Sequence, residues 1–329
     1  MTPSDVLPQQ FVERLREIAQ GVDHATLLQG FEGARAATFR VNGLKADVST
    51  VRKELVTEGL SLEPIPWVAG AFAVPSTQRA TLTHSAASTE GRIYIQNPSS
   101  MIPALTLEPE STEWILDLAA APGGKTVQLA GMMGNDGRIS AVESVRSRFF
   151  RLVRILDLYG VANTKTYLKD GRRVWRSCPE QFDRVLLDVP CSAEGRFHMD
   201  DPASFAYWSL RKIREMKRLQ QRLMYSAVQA LRPGGILVYS TCTFAPEENE
   251  LIVEAALEQF PGALEIEPTP LEPATLGAVS ALTEWQGTEL HPHMGRCVRV
   301  LPQGGMEGFF VARLRKIAST APEARLRRG

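Results

Sequence analysis

The sequence predicts an α/β protein, a doubly wound, mostly parallel sheet preceded by a small α+β unit. Three observations predict it. From residue 114 onward, strand-length apolar runs alternate with helical periodicities, the pattern of successive βαβ units. Within that region, Trp114–Ile115–Leu116–Asp117–Leu118 leads through Ala119–Ala120–Ala121–Pro122–Gly123–Gly124–Lys125 into Thr126–Val127–Gln128–Leu129–Ala130, which reads as strand, tight turn and helix in succession. Ahead of it, residues 37–95 carry shorter strand signals around one helix.

The chain opens on Phe11–Val12–Glu13–Arg14–Leu15–Arg16–Glu17–Ile18, apolar at helical spacing and read as a packing helix. Residues 37–42 read as a strand, Ser49–Thr50 as the cap of a helix running to Leu60, and Pro64–Val74 as irregular strand with turns. Arg40 and Arg52 read as surface arginines within reach of a nucleic acid backbone. Ile93–Tyr94–Ile95 is a short strand, and Asn97–Pro98–Ser99–Ser100 starts the helix that enters the main sheet. Strands are then expected at 114–118, 138–142, 164–167, 183–188 and 235–239, with helices at 125–133, 145–159, 209–231 and 247–259. In the 145–159 helix, Val145, Phe149, Leu152, Val153 and Leu156 form the core-facing stripe, leaving Arg146, Arg148, Arg151 and Arg154 on other faces. In the 209–231 helix the stripe is Ile213, Met216, Leu219 and Leu223, beside a basic side of Arg211, Lys212, Arg214, Lys217 and Arg218. Residues 261–286 have weak periodicity and read as loop, Gly308–Leu314 as the last strand, and the tail from Ala318 as basic and frayed.

Lysine plus arginine balances aspartate plus glutamate at 37 each, so net charge points to no partner. Its distribution does: Ser144–Arg176 holds nine basic residues against Asp157 and Asp170, whereas Glu247–Leu290 holds ten acids and no lysine or arginine. No stretch approaches the roughly 20 apolar residues of a membrane span, and the first residues do not read as a signal peptide. Cys178, Cys191, Cys242 and Cys297 lack zinc-like spacing and are too sparse for a disulfide framework, so they read as free thiols in a reducing cytoplasm.

Open α/β sheets bind ligands beyond the carboxyl ends of their strands, where a glycine turn lets a ligand approach backbone N–H groups. On that rule the Ala119–Lys125 turn is a cofactor loop. Glu143 ends the next strand, 20 residues after Gly123, where a carboxylate can accept from ribose hydroxyls, and Asp170 follows the third strand at the level of a base-edge amino group. A helix-capping or turn acid is the competing reading of each. Gly124–Lys125–Thr126 also closes a Walker-type pattern, with Val185–Leu186–Leu187–Asp188 as a magnesium-holding strand, so a P-loop-like nucleotide triphosphatase is an alternative. Against it, Ala119 stands where the first glycine belongs and Pro122 removes an N–H from the cradle. Cys191, in Asp188–Val189–Pro190–Cys191–Ser192, and Cys242, in Ser240–Thr241–Cys242–Thr243, each follow the carboxyl end of a central strand and should share one crevice. Two thiols beside a nucleoside cofactor suit pyrimidine methylation. A thiolate added to carbon 6 makes carbon 5 an enamine that attacks an electrophilic methyl group. A free thiol, with pKa about 8.5, needs a helix N-terminus or a cation such as Lys125 to ionise, and losing the carbon 5 proton and the enzyme sulfur requires a base or a second thiol.

In combination these blocks resemble the signature of the Nop/Sun family of RNA 5-methylcytosine methyltransferases. The resembling segments are Asp117–Thr126, Asp188–Ser192, Tyr239–Thr243 with Glu247–Glu248–Asn249–Glu250, Tyr94–Met101 and Glu307–Leu314, spanning about residues 35 to 316. The resemblance implies a Rossmann-like methyltransferase domain at 96–316, a small RNA-recognition-like α+β domain at 36–95, an N-terminal helical segment at 1–35 and a basic tail at 317–329. It implies S-adenosylmethionine held by Ala119, Ala120, Ala121, Pro122, Gly123, Gly124 and Lys125, with Glu143 on the ribose, Asp170 near the adenine and Asp188 close to the methionine end or the target base. It implies Cys242 as nucleophile, Cys191 as the thiol assisting product release, and Lys125 and Asp188 flanking the cytosine. The implied partner is structured RNA, ribosomal or transfer, bound by a cytoplasmic monomer without metal or membrane. The chain departs from the family pattern at Ala193, where glycine is usual, and at Asn97, where an acid is frequent; both bear on base positioning. The target cytosine must be unpaired or extruded. Phosphate contacts are expected from Arg146, Arg148, Arg151, Arg172, Arg173 and the basic side of the 209–231 helix. A non-catalytic RNA-binding module on the same fold is the remaining alternative, opposed by the presence of both Cys191 and Cys242.

Overall fold

The computed structural model describes residues 6–321. The basic run Arg325–Leu326–Arg327–Arg328 of the expected tail lies outside them. Strands β1 Ala37–Val41, β2 Glu63–Pro64, β3 Ala71–Val74 and β4 Ile93–Ile95 form an antiparallel sheet in the order β2-β3-β1-β4. Phe39 and Phe72 from this sheet pack on Val51 and Leu55 of the helix Val48–Thr57. Asp47 caps that helix, accepting from the Thr50 backbone N–H at 2.9 Å, so the cap stands ahead of the expected Ser49–Thr50.

The second sheet has nine strands. Five run parallel in the order β9-β8-β5-β6-β7: β5 Trp114–Asp117, β6 Arg138–Glu143, β7 Thr164–Leu168, β8 Phe182–Asp188 and β9 Leu231–Thr241. Strict alternation divides their side chains between two buried faces. Leu116, Val185, Leu187, Leu237 and Tyr239 enter one core cluster, and Ile115, Leu186, Ile236 and Val238 the other. The register pairs Asp117 with Leu186, Glu143 with Leu168 and Asp188 with Ser240, which aligns the carboxyl ends of all five strands.

Residues 261–286 are not simply loop. They contribute β10 Leu264–Glu267, β11 Ala278–Ser280 and β12 Glu284–Trp285; β13 Thr288–Glu289 pairs with β12, and β14 Val298–Val300 and β15 Phe309–Lys316 follow. β15 runs antiparallel to β9, with β14 and β11 beyond it. The antiparallel additions are two to four residues long except β15, too short for periodicity to register in sequence.

The helices that frame the site are α1 Gln9–Ile18, α2 Gly124–Met132, α3 Arg146–Leu158, α4 Leu210–Ala230 and α5 Glu250–Gln259. α1 buries Phe11 and Leu15 against Phe31, Phe197 and Phe244, as a packing helix should. In α3 the buried stripe is narrower and rotated from the expected one. Leu152 and Leu156 are buried and Phe149 and Ile155 partly so, while Val145 and Val153 are exposed. The reason is the glycine turn: Leu152 and Ile155 pack beneath Gly123, which fixes the face that α3 presents.

Candidate active site

The turn after β5 is held from below and from the side. The Asp117 carboxylate is buried and accepts from the Thr126 hydroxyl at 2.7 Å; burial pushes its pKa up to about 7. Gly123 has φ +117, which L side chains rarely adopt, and α2 starts at the next residue. Arg40 is no surface arginine. It is 6% exposed, donates to the Gly124 carbonyl at 2.8 Å and stacks its guanidinium over Tyr94, so β1 is tied to the turn.

A cleft of about 550 Å³ opens at the aligned strand ends. Its wall includes Ala119, Ala120, Ala121, Pro122, Gly124 and Lys125 from the turn, Asp188 and Cys191 after β8, and Cys242 after β9. Arg35, Gln96, Arg196, Glu307 and Phe309 close it from other segments. Gly123 lies behind the wall, against α3. Glu143 is buried at the end of β6, accepting from the Val145 N–H at 2.8 Å and facing Arg148 at 3.6 Å. Arg148 in turn donates to the Ala121 carbonyl at 2.7 Å, linking Glu143 to the turn. Asp170 stands apart. It caps the 3₁₀ turn Gly171–Arg176 through the Arg172 N–H and pairs with the Arg172 side chain at 2.8 Å, which holds its pKa below the ordinary carboxylate value. The contacts that Asp170 makes are those of a turn acid.

The two thiols meet. Cys191 Sγ and Cys242 Sγ are 3.3 Å apart, both half-buried, and the hydrogen bond between them, followed by burial, pushes the Cys191 thiol well above its usual pKa. Cys191 therefore retains its proton and can donate it toward the Cys242 sulfur. Lys125 Nζ donates to Asp188 Oδ2 at 2.7 Å and to Ser100 Oγ at 2.9 Å, while Ser240 Oγ donates to Asp188 Oδ1 at 2.8 Å. A phosphate loop would aim that lysine at a triphosphate; here a carboxylate engages it.

Behind Cys191 lies a strap that sequence reasoning did not single out. Glu248 accepts from the Ser192 N–H at 3.0 Å, and Gln220 donates both to the Pro190 carbonyl at 2.9 Å and to Glu248 at 2.7 Å. Both neighbours of Cys191 are thus pinned to α4 and to the segment before α5. Glu248 Oε1 has no partner among the described residues, and burial raises this carboxyl's pKa from 4.5 to about 7. The folded protein then keeps a proton, between those two values, that the unfolded chain has released, so stability is full below about pH 4.5 and falls as pH rises to about 7. Glu248→Gln keeps a carbonyl acceptor for Ser192 and removes the charge. Its melting temperature should fall less than the wild type's between about pH 5 and about pH 8, with Asp117 and Glu194, both raised by burial, contributing to the slope that remains.

Both departures from the family pattern have a structural account. Ala193 sits at φ +60, the left-handed region that glycine occupies freely, at a cost of about 1 kcal/mol for its Cβ. Asn97 donates its amide to the Gly305 carbonyl at 2.9 Å while its oxygen accepts from the Ser99 N–H. An ionised acid there would lack that donor.

Residues 104–315 match the family described as 16S rRNA methyltransferase RsmB/F, and residues 7–98 match the N-terminal domain of 16S rRNA methyltransferase RsmF. The chain belongs to the RsmB/F family. Among relatives, it is 36% identical over 334 residues to ribosomal RNA small subunit methyltransferase F of Vibrio campbellii, covering 100% of this chain and 67% of that protein. It is 38% identical over 281 residues to a tRNA (cytosine(49)-C(5))-methyltransferase of Pyrococcus abyssi, covering 85% and 88% of the two chains. The solved structure of a methyltransferase homolog from Pyrococcus horikoshii superimposes with TM-score 0.78 at 30% identity, over 94% of this chain and all of that one. The chain spans about two thirds of the length of the methyltransferase F relatives. RsmB/F membership confirms the Rossmann-like methyltransferase fold and S-adenosylmethionine as the family's methyl donor. It lends no support to a triphosphatase or to a non-catalytic module.

Proposed function

We propose that this RsmB/F protein transfers a methyl group from S-adenosylmethionine to carbon 5 of a cytosine in structured RNA, ribosomal or transfer, through a covalent cysteine adduct. The observation that carries the reading is the pair of sulfurs 3.3 Å apart in the cleft that also contains the Ala119–Lys125 turn. The turn fits the donor: Gly123 holds a conformation closed to L side chains, Gly124 lets the turn pack directly on the Tyr94 ring, and Glu143 brings a buried carboxylate beside Ala121. In this reading Ala119–Lys125 cradle the cofactor, Glu143 serves its ribose, and Asp170, being turned to Arg172, serves the adenine at most through its remaining acceptor capacity. The bound cofactor supplies an electrophilic methyl on a sulfonium.

Cys242 is the nucleophile. Its thiolate, hydrogen-bonded by the Cys191 thiol, adds to carbon 6 of the cytosine, and the electron pair moved to carbon 5 takes the methyl group. Asp188 and Lys125 flank the base and offer an acceptor and a donor to its polar edge. The carbon 5 proton then passes to water, the carbon 5–carbon 6 double bond re-forms and the bond to Cys242 breaks. Cys191 assists that release by donating to the departing sulfur.

The parts of the chain divide in the same reading as 1–35 helical, 36–95 RNA-recognition-like, 96–316 methyltransferase and 317–329 tail. No helix among the described residues is long and apolar enough to cross a membrane, and we place the protein in the cytoplasm, acting as a monomer without a metal. The direct test is transfer of labelled methyl from S-adenosylmethionine to ribosomal or transfer RNA transcripts, followed by nucleoside analysis. Label in 5-methylcytidine is the expected result; label elsewhere, or none, removes the reading.

The cradle has its own test. Gly124→Ala would set a Cβ 2.8 Å from the Tyr94 hydroxyl oxygen and 2.9 Å from its ring. Tyr94 is packed by Tyr159 and Arg40 and also lines the cleft, so the clash is passed to those neighbours or into the cofactor's space. Calorimetry should show cofactor affinity reduced at least about tenfold, as expected when overpacking displaces a site by a few tenths of an ångström or more.

A further inference from the structure

A second cavity, about 760 Å³, lies outside the cleft, between the 3₁₀ turn Gly171–Arg176 and helices α4 and α5. Five arginines line it: Arg172, Arg173 and Arg176 on the turn, Arg218 and Arg222 on α4. Its floor is apolar, with Met224, Ile252 and Ala256 buried, and Tyr225 packs edge-on against Trp175 with ring centroids 5.4 Å apart. Asp170 occupies Arg172 and reaches Arg173 only at 4.0 Å. Among the described residues Arg176, Arg218 and Arg222 form no ion pair, and Glu258 is the one carboxylate on the lining. Five guanidinium groups against Asp170 and Glu258 leave three positive charges facing one concavity, an arrangement that costs repulsion until an anion enters.

The form of that anion follows from the placement of the arginines. They stand on opposite walls, and Arg218 and Arg222 are one helical turn apart, about 5–6 Å between their Cβ atoms. A phosphodiester chain carries successive phosphates, so guanidinium forks on the turn and on α4 can each engage one as the chain passes between them. The turn that carries three of these arginines packs on the strand end that leads into the cofactor turn. Gly171 packs so close to Leu118, the residue before the cofactor turn, that a Cβ on it would lie 2.9 Å from the Leu118 carbonyl oxygen.

We infer that this arginine trough is a second RNA-binding site, holding the phosphodiester backbone of the substrate RNA away from the nucleotide that is methylated. The inference rests on the RNA methyltransferase reading and adds where, beyond the cleft, the RNA is gripped. It is tested with R176E/R218E/R222E and a fluorescein-labelled transcript of a small-subunit ribosomal RNA segment. The charge-reversed protein should bind the transcript at least about tenfold more weakly, and its plot of log affinity against log salt should be shallower by about 2 to 3, the slope carried by three phosphate contacts. Cofactor affinity should match the wild type's. A control with the same charge change at exposed Arg16, Arg138 and Arg296, none of which lines the trough or the cleft, should lose much less. If the glutamates prevent folding, R176Q/R218Q/R222Q serves, with a smaller loss of affinity and the same flattening. Unchanged affinity and slope, or an equal loss in the control, overturns the trough. Wild-type protein that binds the transcript yet methylates no RNA overturns the function instead, and wild-type protein that binds no RNA overturns both.

Discussion

Cys242→Ala should lower methyl transfer by at least about 10⁴-fold, the order lost when the nucleophile of a covalent mechanism is removed. Carbon 5 of cytosine is a poor nucleophile until a sulfur has added at carbon 6, so no neighbouring group makes good the loss. Cofactor affinity should stay within about twofold of wild type, because the Ala119–Lys125 turn is built by β5, α2 and Arg40 rather than by Cys242. The pair of measurements separates chemistry from binding. Rates from transcript methylation and affinities from calorimetry give opposite answers for a nucleophile and the same answer for a residue that merely shapes the cleft. Retained turnover would remove Cys242 from its role.

Cys191→Ala should act differently. Addition and methyl transfer need Cys242, so the first half of the reaction proceeds; release loses the thiol that donates to the departing sulfur from 3.3 Å. Protein and RNA should therefore accumulate as a covalent complex, visible as a retarded band in denaturing electrophoresis that requires cofactor. Turnover should fall at least about 100-fold, the usual contribution of a positioned proton donor. The double variant with Cys242→Ala should form no such band. A Cys191 variant that turns over normally, or that traps nothing, would show that the close approach of the sulfurs has no part in release.

The parallel half of the sheet was legible in the sequence because four of its five strands are largely buried and read as apolar stretches, and a Pro-Gly-Gly turn punctuates the first of them. The shared crevice of Cys191 and Cys242 was legible for the same reason, since strand ends in such a sheet line up. Other features depend on contacts between distant residues. Arg40 reads as a surface charge, and only packing of β1 on the turn reveals it as a buried link. Val145 and Val153 carry the right spacing for a core stripe, yet the demand of Gly123 for Leu152 and Ile155 rotates the helix past them. The Glu248–Gln220 strap joins residues 28 apart, with no local signal beyond the acid's place in the block after Cys242. Ser240 was in view beside Cys242, but its role on Asp188 follows from the β8–β9 register. Asp170 shows the reverse case, a residue well placed by strand level whose side chain is spent on a turn and an arginine.

The central claim is that the sulfur of Cys242 bonds to the base that receives the methyl group. Mass spectrometry of the nuclease- and protease-digested complex formed by the Cys191→Ala protein tests it at the atom concerned. The account predicts a nucleotide carrying the transferred methyl group, attached to the peptide that contains Cys242 and located on that residue by fragmentation. Attachment to any other side chain, or an attached nucleotide without the methyl group in the presence of saturating cofactor, would contradict it.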